Sequence, residues 1–296
     1  MGWISRLRRL RRKQEPPKPS FDGDPFSALA DPQPRRRWEA ALALQLTDAP
    51  ERAVDALVQA LGDPVPFVRW QAGRSLVTLP REEALRGIQS ALKDELPLRR
   101  AAAAEALGET TWEEALPLLV DALSDDDAGV RVAAALSLGR LRRPEAVEYL
   151  VAYMESEPSP GVRWAIARAL GMIGAPEAAE MLQQCLSRQD EETQVRRSAA
   201  WALGQLGWDV TAVTGLLAAL DDPDPQIRWY ACQGLGRAAQ TLSRADPADR
   251  ELLNQARNAL VQRQEDDADA GEGIVGEAAV QALTQIRASA RRLRKG

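Results

Sequence analysis

The sequence predicts an all-α fold: a solenoid of about seven helical hairpins closed by a C-terminal capping helix. Three observations predict it. A motif recurs at near-constant spacing, its apolar positions keep the period of an α-helix, and the composition disfavours a sheet. Ala, Leu and Arg dominate, aromatics reach only 5%, and β-branched residues are sparse. A single hairpin cannot bury its own apolar faces, so stacked neighbours must bury them together.

The motif reads FVRWQAGRSL from Phe67, LRRAAAAEALG from Leu98, VRVAAALSLG from Val130, VRWAIARALG from Val162, VRRSAAWALG from Val195 and IRWYACQGLG from Ile227, with a weaker first copy, RRWEAALAL, from Arg36. Its anchor arginines are Arg37, Arg69, Arg100, Arg131, Arg163, Arg196 and Arg228, spaced by 32, 31, 31, 32, 33 and 32 residues. Six residues before each stands an acid: Asp31, Asp63, Asp94, Asp125, Glu157, Asp190 and Asp222. Proline often follows, as in Asp63-Pro64 and Asp222-Pro223, which ends one helix and begins a turn. Positions −1, +3, +4 and +7 from the anchor form one apolar helical face, helix A. Gly108, Gly139, Gly171, Gly204 and Gly236 follow as expected left-handed C-terminal residues. Helix B begins about 14 residues after the anchor, often on an acid such as Glu83, Glu114, Glu145 or Glu177, which favours a helix N-terminus. Its apolar positions recur at i, i+3 and i+7, as in Leu116, Leu119 and Leu123.

The period lapses after Ala239. A long helix is expected from about Pro247 to Gln264, then the acidic loop EDDADAGEG, then a capping helix from about Ile274 to Leu293. In that last helix Gly276 replaces the anchor arginine. The acidic loop fails the spacing of an EF-hand: Ala270 stands where glycine is needed and Gly276 where the bidentate Glu belongs. The expected organisation is an N-terminal segment and linker over 1–24, repeats over 25–240, and an irregular C-terminal part over 241–296.

Composition excludes several function classes. The chain has 296 residues and no histidine, which removes His-dependent triads, His-ligated metals and histidine acid–base chemistry. Two cysteines, Cys185 and Cys232, offer neither a disulfide framework nor a metal cluster, so the expected compartment is reducing and cytoplasmic. No catalytic residue, cofactor or metal is expected. Residues 1–37 carry a net charge of +6, and residues 287–296 add 5 basic residues and no acid. Residues 38–286 hold 23 basic and 39 acidic residues, a net of −16. An acidic body argues against nucleic-acid binding, which needs phosphate neutralisation along the contact face. No transmembrane run is present, and the basic start has no apolar core of signal-peptide length.

One stretch imitates a nucleotide site. Gly234-Leu235-Gly236-Arg237-Ala238-Ala239 fits a loose G-x-G-x-x-G/A pattern, but that motif needs a preceding strand. In the repeat register, Gly234 falls at a small-residue core position and Gly236 near the end of helix A.

Asp125 to Gly139 and Asp222 to Gly236 follow the pattern D-P-x-x-x-V-R-x-x-A-A-x-A-L-G closely. The unit resembles the HEAT-like repeat of the phycobilisome-lyase type over roughly residues 30–240. The resemblance implies a right-handed α-α superhelix, with A helices on the convex side and B helices on the concave side. It also implies that the anchor arginines (Arg69, Arg100, Arg131, Arg163, Arg196, Arg228) pair with the turn acids (Asp63, Asp94, Asp125, Asp190, Asp222) within or between repeats. An alternative function follows from it: a bilin lyase subunit or lyase-like chaperone that attaches or removes a tetrapyrrole. Ser198-Ala199-Ala200-Trp201-Ala202-Leu203-Gly204 looks like an Ala-Ala-Trp stretch of such subunits, although Ala202 stands where a second aromatic often follows. Di-iron HEAT hydroxylases are excluded, because their His-Glu ligands are absent.

The leading functional expectation is a protein–protein scaffold or assembly factor. About 18 and 22 residues after each anchor, helix B is expected to face solvent. In the central repeats these rows carry Leu118, Tyr149 and Met181, then Tyr153 and Cys185, an apolar patch of the kind that binds a partner. Trp164 and Trp229 directly follow an anchor, and Trp201 lies one turn further along its helix; they are expected to pack between repeats or to anchor a partner. At the N-terminus, Trp3, Ile4, Leu7 and Leu10 share a helical face, with Arg8, Arg9, Arg11 and Arg12 among the basic residues around it. Such a helix suits peripheral contact with the cytoplasmic membrane face or an acidic partner, and the alternative is a tail with no specific contact.

Overall fold

The computed structural model describes residues 21–242, 246–270 and 273–293. The basic amphipathic stretch from Trp3 to Arg12 lies outside them. Sixteen α-helices follow one another, with no strand among the described residues. They are α1 (Pro25–Ala28), α2 (Pro34–Ala43), α3 (Pro50–Ala60), α4 (Pro66–Leu76), α5 (Arg81–Ala91), α6 (Pro97–Leu107), α7 (Ala115–Ala122), α8 (Ala128–Leu141), α9 (Ala146–Ser156), α10 (Pro160–Ile173), α11 (Ala179–Ser187), α12 (Thr193–Leu203), α13 (Val210–Ala218), α14 (Pro225–Thr241), α15 (Pro247–Ala270) and α16 (Gly273–Leu293). The A helices are the even-numbered α2 to α14, and the B helices the odd-numbered α3 to α13.

The chain divides into two compact units, Met1–Ala106 and Leu107–Gly296. In the first, Leu44, Leu57, Leu61, Leu76 and Ile88 are fully buried. In the second, Leu119, Leu138, Leu150, Ile166 and Leu170 are. Each such side chain contributes about 1.5–3 kcal/mol of burial. The anchor-relative positions −1, +3, +4 and +7 supply the A-helix share of both cores; Val162, Ile166, Ala167 and Leu170 are one set.

The turns explain where A helices start. Proline occupies the first helical position three residues before the anchor in α2, α4, α10 and α14, where its missing N–H is no loss. Asp127 and Asp224 cap α8 and α14, accepting from backbone N–H groups at 2.8–3.2 Å.

The glycines at the end of the repeat motif act otherwise than the sequence suggested. Gly139, Gly171 and Gly236 lie inside helices α8, α10 and α14, and Gly204 has an ordinary right-handed φ. The left-handed residues come three positions later, at Arg142 (φ 51°), Gly174 (φ 74°) and Gly207 (φ 80°). What the earlier glycines permit is close approach. A Cβ on Gly139 would stand 2.8 Å from Ala169 Cα, on Gly171 2.7 Å from Ala202 Cα, and on Gly204 2.8 Å from Gly234 Cα. Successive A helices of the second unit therefore touch backbone to backbone at this level. Gly234 and Gly236 belong to that contact, which disposes of the nucleotide reading.

At the C-terminus, α15 runs to Ala270 rather than ending near Gln264, so six of the nine residues of the expected acidic loop, 265–270, belong to that helix. Helix α16 takes the place of a further A helix: a Cβ on Gly236 would lie 2.9 Å from Ala282 Cα. Arg292 Nη2 donates to the Gln240 carbonyl at 2.8 Å, fixing that cap.

Candidate functional site: the two outward faces of the repeats

The anchor arginines come first, because they set the register of everything around them. Arg37, Arg69, Arg131, Arg163 and Arg228 each donate from Nη1 to the carbonyl six residues back, at 2.8–3.0 Å. Each thereby clamps the turn before its own helix. In Arg37, Arg131 and Arg163 the rest of the guanidinium reaches forward to the acid of the next repeat. Arg37 is bidentate on Asp63 (2.6 and 2.9 Å), Arg131 on Glu157 (both 2.9 Å) and Arg163 on Glu191 (2.9 and 2.7 Å). Arg196 pairs with Asp222 and donates from Nε to the Leu186 carbonyl at 3.1 Å. The pairing is thus within and between repeats at once.

Burial pushes the carboxyls of Asp63, Glu157 and Glu191 up. The arginine hydrogen bonds and the backbone N–H groups of Val65, Ser159 and Glu192 more than reverse this, holding all three below the usual carboxylate range.

Two expected rungs differ. Asp190 is not the turn acid: its side chain is 75% exposed and pairs with Arg188 at 3.1 Å. Glu191 replaces it, with its side chain 2% exposed. The preceding spacing is the long one, 33 residues, and the extra residue shifts the buried acid by one position. Asp94 is held by Arg99, from the helix that follows it, instead of Arg69.

The outward stripe of the A helices lies at positions +1, +5 and +9 from the anchor. In the second unit it carries Arg140, Arg168, Arg197 and Arg237 together with Trp164, Trp201 and Trp229. The Arg168 guanidinium lies 3.6 Å from the Trp201 ring centroid. Trp201 also closes over Gly171, whose Cβ would meet Trp201 Cζ3 at 2.6 Å. Trp229 meets Tyr230 edge-on at 5.0 Å. Packing between repeats is therefore what Trp201 does, and Trp229 has an aromatic neighbour in its own helix. Trp164 lines a pocket of about 380 Å³ with Arg140, Arg168, Met172, Arg197 and Tyr230. Sequence reasoning missed Arg140 and Arg168; the +5 and +9 positions, tracked beside the +1 tryptophans, carry the signal.

The B helices present a different face. Tyr149 is 43% exposed on α9. Leu118 on α7, Tyr153 on α9 and Met181 on α11 are half-buried. Tyr153 Oη shares a hydrogen bond with Ser124 Oγ. Exposed acids flank this strip: Asp121, Glu148 and Glu180. Cys185 does not belong to the surface. It is 5% exposed, within 4.0 Å of the Met181 sulfur, and burial followed by the charge of Glu191 pushes its thiol up to about 11. Ala60, Gly87, Ala91, Gly215 and Ala219, in the same two rows, are also buried. These rows are flanks where neighbouring B helices pack, and only the large side chains emerge from them. A second pocket, about 270 Å³, opens between α11 and α13 beside Gln183, Gly215 and the Arg196–Asp222 pair.

Among the described residues no cluster of three or more His, Cys, Asp or Glu could hold a metal. No described helix is long and apolar enough to cross a membrane.

Comparison with known proteins agrees with this architecture. The HEAT repeats family matches residues 25–108, 54–135, 87–171 and 150–217. None of the curated proteins matches the sequence. Among solved structures, the chain is similar to YibA of Escherichia coli (19% identity, 86% of this chain and 97% of that one, TM-score 0.55). It is also similar to a chain of the Kap95p–RanGDP complex (12% identity, 91% and 41%, TM-score 0.60). The complex of CpcE and CpcF of phycocyanin lyase from Nostoc sp. PCC7120 matches with 23% identity over 80% of this chain and 94% of that one, at a TM-score of 0.44. With the family matched over most of its length, on repeats whose stacking geometry is now explicit, this chain is a member of the HEAT-repeat family.

Proposed function

We propose that the chain is a non-catalytic scaffold or assembly factor that holds a protein partner on the outward face of its central B helices. The observation that carries this is the strip of Tyr149, Leu118, Tyr153 and Met181 on successive B helices, left open to solvent while the small residues around it are buried. Tyrosine supplies a large contact area with few rotamers to freeze. Asp121, Glu148 and Glu180 at its edges favour a partner with basic residues around an apolar anchor. The test is co-purification of partners with the full chain against Tyr149→Glu and Tyr153→Glu. Loss of a specific partner supports the proposal; retention of every partner refutes it.

The tetrapyrrole reading rests on Ser198 to Gly204. In α12, Ser198, Ala199, Ala200 and Ala202 are buried and Trp201 is stacked under Arg168, so the stretch is engaged in helix packing. The scaffold reading is accordingly preferred. Stable bilin absorbance in the purified protein would reverse that preference. Membrane recruitment through residues 1–13 is compatible with either reading; liposome co-sedimentation of the full chain against one starting at Pro25 tests it.

A further inference from the structure

The pocket on the A-helix side has a chemistry that the B-helix strip lacks. Its lining comes from four successive A helices: Arg140 from α8, Trp164, Arg168 and Met172 from α10, Gln194 and Arg197 from α12, and Gln226 and Tyr230 from α14. Three guanidinium groups border it, and no Asp or Glu does. In a body with a net charge of −16, that is a local inversion of sign.

The three arginines are not equivalent. Arg197 is already bound to Asp224, with contacts of 2.6, 3.1 and 3.1 Å, so its charge is answered. Arg140 makes only one long contact, 3.5 Å from Nη1 to Ser137 Oγ, and its side chain is exposed. Arg168 is held over the Trp201 ring, 3.6 Å from the centroid, a contact that supplies no carboxylate to its N–H donors. Neither Arg140 nor Arg168 has a carboxylate partner among the described residues. Other A-helix arginines also lack an acid, since Arg74 lies over Trp70 and Arg237 meets Gln233, but Arg140 and Arg168 share one pocket whose lining carries no carboxylate.

The walls narrow the occupant further. Trp164, Met172 and Tyr230 offer apolar and aromatic surface next to the two cations, and Gln194 and Gln226 place exposed amide groups at the rim. A free inorganic anion would use the arginines alone. A peptide with a carboxylate beside an apolar side chain uses both, and its backbone can meet the amides. A fixed guanidinium fork binds a carboxylate in two parallel hydrogen bonds. We propose that this pocket binds an acidic, apolar-flanked peptide segment of a protein partner, with Arg140 and Arg168 as the carboxylate receptors and Trp164 as the apolar floor. This surface is distinct from the B-helix strip and stands or falls independently of it.

Fluorescence anisotropy tests the proposal on the full chain. The probe is a fluorescein-labelled peptide of alternating Glu and Phe, compared with the same peptide carrying Gln for Glu. The Glu peptide is expected to bind at least tenfold more tightly than the Gln peptide, and its binding should weaken as NaCl rises from about 50 to about 500 mM. Arg140→Glu, at an exposed position that supports no packing, should weaken it at least tenfold, and Arg168→Ala similarly. Tyr149→Glu should leave it unchanged. Equal binding of the two peptides, or binding within twofold of the parent by Arg140→Glu, overturns the proposal. Full displacement of the peptide by inorganic phosphate at the peptide's own concentration also overturns it, because the pocket would then be a small-anion site.

Discussion

The A helices and the B helices of the second unit begin from similar sequence patterns and end as different surfaces. On the A side, Gly139, Gly171 and Gly204 bring helix backbones into contact. Packing that close leaves no room for side chains between the helices, so the long ones project along the outward stripe, where Arg168, Trp201 and their neighbours interleave. On the B side, the small residues meet side chains instead. A Cβ on Gly215 would stand 3.2 Å from Gln183 Cγ and 3.3 Å from Leu203 Cδ1, closer than ordinary contact but against side chains only. In the first unit the side-chain contact is tighter still: a Cβ on Gly87 would stand closer to Val54 Cγ1 than real Cβ atoms come and 3.2 Å from Val58 Cγ2, with no backbone of another helix among its nearest neighbours. The same residue type therefore admits a neighbouring backbone on one face and neighbouring side chains on the other.

The largest expected effect breaks this contrast directly. Gly139→Ala and Gly204→Ala place a methyl group against a neighbouring backbone and should cost about 1–3 kcal/mol, despite the better helix propensity of alanine. Gly215→Ala meets only side chains that can give way and should cost less than about 1 kcal/mol. Urea unfolding of the three variants decides it, and equal effects at Gly139 and Gly215 would remove the distinction.

Next in size is the buried ladder. Removing one partner of a buried ion pair strands the other, at about 3–5 kcal/mol when burial is complete. Arg163 keeps some solvent contact, so Glu191→Ala should cost about 2 kcal/mol, whereas Asp190→Ala should stay below about 0.5 kcal/mol. If thermal unfolding ranks Asp190 above Glu191, the acid has been assigned to the wrong residue.

The same carboxylates give the ladder a pH dependence. Asp63, Glu157 and Glu191 hold their protons less tightly in the folded chain than in the unfolded one. The unfolded state therefore binds more protons in the acid range, and stability rises with pH there. Their contribution should be complete above about pH 5 and lost as pH falls through about 4 and below. A melting temperature followed from pH 7 to pH 2.5 should show this decline, and Glu191→Gln should make it shallower. An unchanged slope would mean that Glu191 contributes nothing to the acid limb.

The smallest expected effect concerns the B side. The Cys185 thiol, buried and pushed up to about 11, should resist iodoacetamide at pH 8 in the folded protein and react once urea unfolds it. Fast labelling of the native chain would return Cys185 to the surface strip.

Much of this architecture is legible in the sequence. The spacing of Arg37 to Arg228, the prolines three residues before the anchors and the apolar positions −1, +3, +4 and +7 are local signals, and each maps onto one helix or one turn. They are readable because a helix start and a helix face depend on residues a few positions apart. The exchange of Asp190 for Glu191 was not legible, since both are acids in the same turn and only the neighbouring helix decides which is buried. Nor was the true role of the glycines. A glycine near a helix end suggests a left-handed cap, and its distance to an alanine about 30 residues away depends on how two helices stack.

The sequence by itself determined the repeat, its helices and the residues that each turn would hold, because periodicity and capping are short-range physics. Only the tertiary structure decided which side chains remain for solvent. It buried Cys185, stacked Trp201 beneath Arg168, left Tyr149 open, and gathered Arg140 and Arg168 beside Trp164 without an acid. Those outcomes depend on contacts between successive helices, where a single methyl group or a one-residue change in spacing settles which group packs and which faces a partner.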